Sequence, residues 1–321
     1  MEIEKPKCEQ LNLFGKTEEE NLKETLFDKF LIPPFSTLDR RQGYWQNRKR
    51  LWLRLGIKSE LGRQEHLAFN INSFDADKDV AIRHGETQDG KAPSTSVFDP
   101  VLCELAYKWF TPPMGRILDP FAGGSVRGIV ASYLGFGYTG IDIRKEQIEA
   151  NENQKREILG DMDVGELNYI CGDSNEVLEN IASESFDFAF TCPPYFNLEI
   201  YSNDAKDISN MDLEGFKVAY ESILSKTAIA LKEDAFFGIV VGDVRNAKGH
   251  FIRLPSFTQE AMEAIGLHLY DDFILLDPLG SASVRASGQF TASRKCVTTH
   301  QRFMVFIKGN AKNATRKIKG F

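Results

Sequence analysis

Cysteine is scarce in this chain: five residues in 321, at Cys8, Cys103, Cys171, Cys192 and Cys296. No two are spaced like zinc ligands. An odd, scattered set fits a reducing compartment better than a disulfide framework. No metal site is therefore expected, and a cytoplasmic location is. Long apolar runs are missing as well. No stretch approaches the roughly 20 residues that cross a bilayer, so no membrane partner is expected. The first ten residues, MEIEKPKCEQ, contain acids and no apolar core, unlike a secretory signal. Internal repeats and low-complexity segments are absent too. What remains, with 42% hydrophobic and 26% charged residues, is the composition of a soluble globular protein with one large domain or two modest ones.

A net positive charge is also lacking. The formal charge of −7 looks wrong for a protein that holds a polyanion, but it is unevenly spread. Residues 39–63 hold eight basic and two acidic residues, and residues 281–321 hold nine basic residues and no acid. Two basic surfaces on an acidic body suit a nucleic acid held at one face. A solvated helix and a basic tail are the plainer account, more so for residues 312–319 than for the first segment.

Taken in order, residues 17–30 read as a helix opened by Thr17 with Glu20 three residues on, a capping-box pattern. Ile32-Pro33-Pro34-Phe35 is a stiff connector. From Tyr44 to Gly56 a helix places Trp45, Trp52 and Leu55 on one apolar face, with Arg48, Lys49 and Arg50 over much of the rest. Such a helix either grips phosphates and stacks on bases or is a surface helix with core tryptophans. Residues 57–93 read as irregular. From Ser94 the texture changes to strands alternating with helices. Strands are expected at 116–119, 137–142, 167–173, 186–191 and 235–243, then at 267–276 and 302–308. Helices are expected between them, with a long polar loop over 277–299. This alternation implies a mostly parallel sheet with right-handed crossovers and an antiparallel C-terminal strand pair.

Four features then fall at successive strand ends. Asp119 precedes the turn Pro120-Phe121-Ala122-Gly123-Gly124, where bare backbone lets a ligand approach. Asp142 ends the next strand, where a carboxylate can accept both hydrogen bonds of a ribose diol. Asp173 ends the third and suits an exocyclic amine. Thr191-Cys192-Pro193-Pro194-Tyr195 ends the fourth: two prolines stop the sheet and leave carbonyl acceptors beside an aromatic face. A parallel sheet brings all four to one edge. The turn lacks the G-x-G-x-x-G pattern that cradles a pyrophosphate, and its leading acid favours a cationic nucleoside over a dinucleotide.

In this order, Asp119-Pro-Phe-Ala-Gly-Gly-Ser125, Gly140-Ile-Asp142, Gly172-Asp173-Ser174 and Thr191-Cys-Pro-Pro-Tyr195 resemble the motifs of the amino-methylating DNA methyltransferases. That family uses S-adenosylmethionine to methylate adenine N6 or cytosine N4. Ser94 to Leu102, with Phe98 and Pro100, is similar to the family's motif before the first strand. Residues 294–308 resemble its closing strand. The resemblance covers about residues 94–309, and the Arg-Gln-Gly-Tyr-Trp-Gln run near residue 43 resembles phage and prophage members. It implies a Rossmann-like class I methyltransferase fold with a seven-stranded sheet, a mainly helical N-terminal extension over 1–93 and a basic tail over 310–321. It also implies duplex DNA as partner, with the target base flipped out.

By matching position, the resemblance assigns the methionine end of the cofactor to the turn of Asp119, Pro120, Phe121, Gly123, Gly124 and Ser125, with Phe98 nearby. Asp142 and Ile143 fall at the ribose, Asp173 and Ser174 at the adenine, and Thr191 beside them. Cys192, Pro193, Pro194 and Tyr195 are the catalytic stretch. Pro193 accepts a hydrogen bond from the target amine through its carbonyl, and Tyr195 stacks on the base. Arg48, Arg50, Arg285, Arg294 and Lys295 are candidate nucleic-acid contacts. Asp243 either supports the target pocket or caps a helix. The departure is Cys192, where the family normally has Asp, Asn or Ser; a thiol is a weak acceptor. Small Cys in place of small Ser tilts the expected target to cytosine N4. An RNA methyltransferase with the same core, and a reader that binds nucleic acid without catalysis, are the rivals.

Overall fold

The computed structural model describes residues 25–58, 98–160, 162–196, 204–246 and 248–318. The start of the helix expected from Thr17, nearly all of the segment read as irregular, and Ser94 lie outside these residues. Residues 1–34 with Phe321, and residues 35–320, form two compact units. In the first, helix α1 (Leu26–Phe30) begins at a capping box. Thr25 Oγ1 accepts from the Asp28 N–H at 3.2 Å, and Asp28 Oδ2 accepts from the Thr25 N–H at 3.0 Å.

The second unit is one sheet with helices on both faces. Its strands are β1 (Thr37–Asp39), β2 (Arg116–Asp119), β3 (Gly137–Asp142), β4 (Leu167–Cys171), β5 (Phe186–Thr191), β6 (Leu231–Val241), β7 (Leu267–Leu276) and β8 (His300–Lys308). They lie in the order β1-β7-β8-β6-β5-β2-β3-β4. All are parallel except β8, which runs antiparallel to both β6 and β7. The expected antiparallel pair is therefore present. The sheet has eight strands rather than seven because Thr37–Asp39, from the N-terminal segment, pairs with Ile274–Leu276 on the β7 edge.

The helices are α2 (Gly43–Arg54), α3 (Pro100–Phe110), α4 (Val126–Tyr133), α5 (Lys145–Leu159), α6 (Ser174–Val177), α7 (Leu213–Ala230), α8 (Leu254–Ala264), α9 (Ala282–Ser293) and α10 (Ala311–Lys317). Two of these differ from expectation. The stretch 277–299 was expected as polar loop, yet Ala282–Ser293 is a helix in which only Ala282 is buried. The basic tail is likewise a helix, capped by Asn310 with Ala314 buried, and Lys317 Nζ donates to Glu233 O at 2.8 Å.

Strand alternation builds the core on both faces of β5. Phe188 and Phe190 turn to one side and meet Tyr107 and Phe110 of α3 and Phe303 of β8. Ala189 turns to the other and joins Phe237, Ile239, Met304 and Phe306 beneath α7 and α8. Each fully buried phenylalanine contributes about 1.5–3 kcal/mol. Gly238 of β6 makes room for the aromatic layer: a Cβ there would lie 2.8 Å from Phe303 and 3.1 Å from Phe190.

Candidate active site

Because β2 to β6 are parallel, their carboxyl ends share one edge, and a cleft of about 340 Å³ opens there. Its lining includes Phe98, Pro120, Phe121, Gly123, Gly124, Asp142, Ile143, Asp173 and Ser174, together with Cys192, Pro193, Pro194 and Tyr195. Ligands of doubly wound sheets bind in such a crevice. The structure thus brings together four strand-end features that lie far apart in sequence.

Asp142 accepts from the Gly123 N–H at 3.0 Å and the Arg144 N–H at 2.8 Å. A carboxylate has about four acceptor sites, so two remain for a diol. Burial pushes its pKa above the usual carboxylate value, against the pull of Arg144. Asp173 caps α6 through Oδ1, which accepts from the Asn175 N–H at 2.9 Å. Ser174 Oγ donates to Pro120 O at 2.5 Å and ties that helix to the glycine turn.

Three expected cofactor residues do not line the cleft. Asp119 is wholly buried, and its carboxylate is used inside the protein. It accepts from Arg127 Nε at 2.5 Å, Tyr138 Oη at 2.7 Å, Thr191 Oγ1 at 2.7 Å and the Phe121 N–H at 3.1 Å. It shapes the turn rather than touching a ligand. With Arg127 paired to it, it also presents no lone negative charge, so the inference that a leading acid selects a cationic ligand does not hold. Thr191 is one of its donors. Ser125 faces away, donating to Gln154 Oε1 at 2.8 Å.

Arg127 was not foreseen. Burial opposes its charge, but Asp119, Tyr138 and Cys192 together hold its pKa well above the usual value. Its Nη2 also donates to Phe121 O at 2.5 Å and Ala122 O at 2.9 Å, and its plane lies 4.6 Å from the Phe98 ring centre. One side chain so fixes the acid, the turn and the aromatic wall. The available signal was a lone arginine in the otherwise apolar or neutral run of α4. A second unforeseen feature is the buried polar stripe of α5. Arg144 Nη2 donates to Gln147 Oε1, Gln147 Nε2 to Asn151 Oδ1, and Asn151 Nδ2 to Gly123 O, all within 2.7–2.9 Å. Residues 147, 151 and 154 fall on one helical face, but a polar helix reads as solvated from sequence.

In the turn after β5, Pro193 is buried while Cys192, Pro194 and Tyr195 are half-buried. Tyr195 Oη donates to Gln301 Oε1 at 2.7 Å and lies 3.5 Å from Cys192 Sγ. Gly242 leaves space for the ring, since a Cβ there would lie 3.1 Å from Tyr195 Cε2.

The order of β2 to β8 is that of the Rossmann-like class I methyltransferase fold. No protein-family model matches the chain, and no curated protein matches it. Among solved structures, it is similar to a SAM-dependent methyltransferase from Methanosarcina mazei at 14% identity, over 62% of this chain and 95% of that one, TM-score 0.42. A SAM-dependent methyltransferase from Archaeoglobus fulgidus is similar at 14% identity, over 65% and 95%, TM-score 0.41. A candidate DNA modification methylase from Thermus thermophilus is similar at 18% identity, over 43% of this chain and 50% of that one, TM-score 0.33.

The basic candidates are used in different ways. Arg48 is not aimed at solvent: its Nε and Nη2 fork the buried Glu104 at 2.6 and 2.5 Å. Trp52 Nε1 donates to the same carboxylate at 2.8 Å, and Trp45 Nε1 to Asp99 at 3.2 Å. Arg50 is exposed and bonds Asn47. Arg285 and Arg294 are exposed on and just after α9, and Lys295 is half-buried against Gly249. Asp243 caps α8, accepting from the Arg253 N–H at 2.9 Å, and does not line the cleft. Among the described residues no group of three or more His, Cys, Asp or Glu is placed to hold a metal ion. No helix there is long and apolar enough to cross a membrane.

Proposed function

We propose that this chain is an S-adenosylmethionine-dependent methyltransferase acting on the exocyclic amine of a base in DNA, cytosine N4 ahead of adenine N6. The observation that carries it is one cleft lined both by carboxylates with a bare turn and by Cys192-Pro-Pro-Tyr195, which we read as a cofactor wall and an acceptor wall. The first wall fits the cofactor. Asp142 keeps acceptor sites for the ribose diol, Asp173 keeps Oδ2 for the adenine amine, and Phe98, Pro120 and Phe121 supply apolar surface. When bound, the cofactor supplies an electrophilic methyl group on sulfur.

The second wall prepares the acceptor. The amine lone pair of a base is delocalised into its ring. Acceptors aimed at the amine hydrogens, the Pro193 carbonyl foremost, draw the nitrogen toward tetrahedral geometry and free that pair. Tyr195 holds the ring plane. This is positioning and electrostatic preorganisation, without a covalent bond from enzyme to base. A base within a duplex cannot reach the cleft, so it is flipped out. The exposed arginines of α9 follow β7 at the same edge and suit the phosphates beside it.

The test is to incubate the protein with cofactor and duplex DNA or RNA, digest to nucleosides and weigh the products. N4-methylcytosine or N6-methyladenine in DNA supports the proposal. Methyl groups only in RNA, or at cytosine C5, or none at all, would refute it.

A further inference from the structure

Between β6 and α8 a small hairpin stands outside the residues that line the cleft. Arg245 and Phe251 face each other in an antiparallel bridge. The Asn246 N–H donates to His250 O and the Ile252 N–H to Val244 O, each at 2.9 Å. Gly249 turns the chain at a φ of +81°, and its carbonyl accepts from Arg245 Nη1 at 2.8 Å. Residues 244–253 include Arg245, Lys248, His250 and Arg253 and no acid.

The sheet brings this hairpin beside the Pro-Pro-Tyr turn. β6 is parallel to β5, so both end at the cleft edge, and Gly242, the first residue after β6, lies against the Tyr195 ring. β7 runs the same way and delivers α9 to that edge. The two segments meet where Lys295, just after α9, packs Nζ and Cε against Gly249. Each carries the same pair, an exposed phenylalanine with a guanidinium over its ring. Arg245 lies 3.7 Å from the ring centre of Phe251, and Arg294 lies 5.3 Å from that of Phe290. The two phenylalanines are 43% and 47% exposed. Among the described residues, none of Arg245, Lys248, Arg253, Arg285, Arg294 and Lys295 forms an ion pair with an acid.

Exposed aromatics and unpaired cations gathered on one surface suit a polyanion that carries flat bases. A guanidinium stacked on a ring keeps N–H groups for phosphate oxygens, and an exposed ring offers a face to a base. We infer that the 244–253 hairpin and the end of α9 form one DNA-binding surface. Arg245, Lys248 and Lys295 hold phosphates of the strand that carries the target base, and Phe251 stacks on a base of that strand laid open beside the extruded one. This rests on the proposed amine methylation. It adds an aromatic contact to the ionic ones of α9.

The test measures binding by fluorescence anisotropy, over a range of salt, to a mixed-sequence DNA duplex and to one of its strands alone. Arg245→Gln with Lys248→Gln should make the slope of log affinity against log salt less negative by about 1–2 on both. Phe251→Leu keeps an apolar side chain and removes the aromatic face. It should leave the slope in place and weaken binding to the single strand roughly tenfold, with a smaller loss on the duplex, whose bases are already stacked. Phe251→Trp should bind the single strand at least as well as the wild type. Melting temperatures should stay at the wild-type value throughout. Unchanged slopes in the double variant, wild-type affinity in Phe251→Leu, or Phe251→Trp as weak as Phe251→Leu would each overturn the inference. A melting temperature that falls along with affinity would mark the hairpin as structural and overturn it too. Methyl transfer by the wild-type chain is measured alongside. If no amine in DNA is methylated, the proposed function falls, and this surface with it. If one is methylated and the variants bind as the wild type does, only the surface falls.

Discussion

Helix α2 and helix α9 with its C-cap Arg294 both bring arginine and aromatic side chains together, and use them in opposite ways. In α2 Trp45 and Trp52 are buried, and their indoles donate to Asp99, the N-cap of α3, and to Glu104 within it. Arg48 follows them inward to Glu104. In α9 Phe290 stays exposed, with the Arg294 guanidinium 5.3 Å from its ring centre, and Arg285 stands in solvent. The difference is supplied by the partner. Asp99 and Glu104 are buried acids that require cations and donors, and α2 supplies them. No acid occurs in residues 281–321 to draw the arginines of α9 down. Arginine density alone is thus a poor guide to a nucleic-acid surface; the location of the nearest buried carboxylate decides.

Removing the buried acid breaks this contrast most severely. Glu104→Ala leaves Arg48 without its partner and is expected to cost about 3–5 kcal/mol in urea unfolding. Burial alone would raise the Glu104 carboxyl, but Arg48, Lys108 and Trp52 hold it below its usual range. A folded-state value below the unfolded one means the stabilisation is present above the unfolded value. It is lost as pH falls through the folded one. Glu104→Gln should therefore flatten the acid limb of the stability profile, and an unchanged limb would count against the buried pair. Next in size is the triple substitution Arg285→Ala, Arg294→Ala and Lys295→Ala. Melting should hold, while the slope of log affinity for duplex DNA against log salt becomes less negative by about 2–3. A slope that stays put would remove α9 from the interface. The smallest effect belongs to Arg50→Ala, in the exposed part of α2: an unchanged melting curve and a slope change of at most about 1.

The sheet was largely legible because its strands are short apolar runs separated by polar helices, and every expected strand from Arg116 onward is present. The strand Thr37–Asp39 was not, since three residues carry no alternation to detect and its pairing with Ile274–Leu276 is wholly nonlocal. Helix α9 was read as loop because only Ala282 of its residues is buried, and a helix without an apolar stripe leaves no period. In the cleft, the residues that line it were legible where chain direction changes: the Gly123-Gly124 turn, the acids ending β3 and opening α6, and the paired prolines. Residues that act through others were not. Arg127, Gln301 and the Gln147–Asn151 stripe are ordinary side chains until the fold brings Asp119, Tyr195 and Gly123 to them. Asp119 itself was placed in the right turn and given the wrong task, because sequence does not show which acid finds an internal arginine.

The proposed division of the cleft into a cofactor wall and an acceptor wall is tested most directly by measuring cofactor affinity in Tyr195→Ala alongside methyl transfer. The predicted result is wild-type affinity with transfer reduced by roughly a hundredfold or more. Affinity and transfer falling together would contradict it.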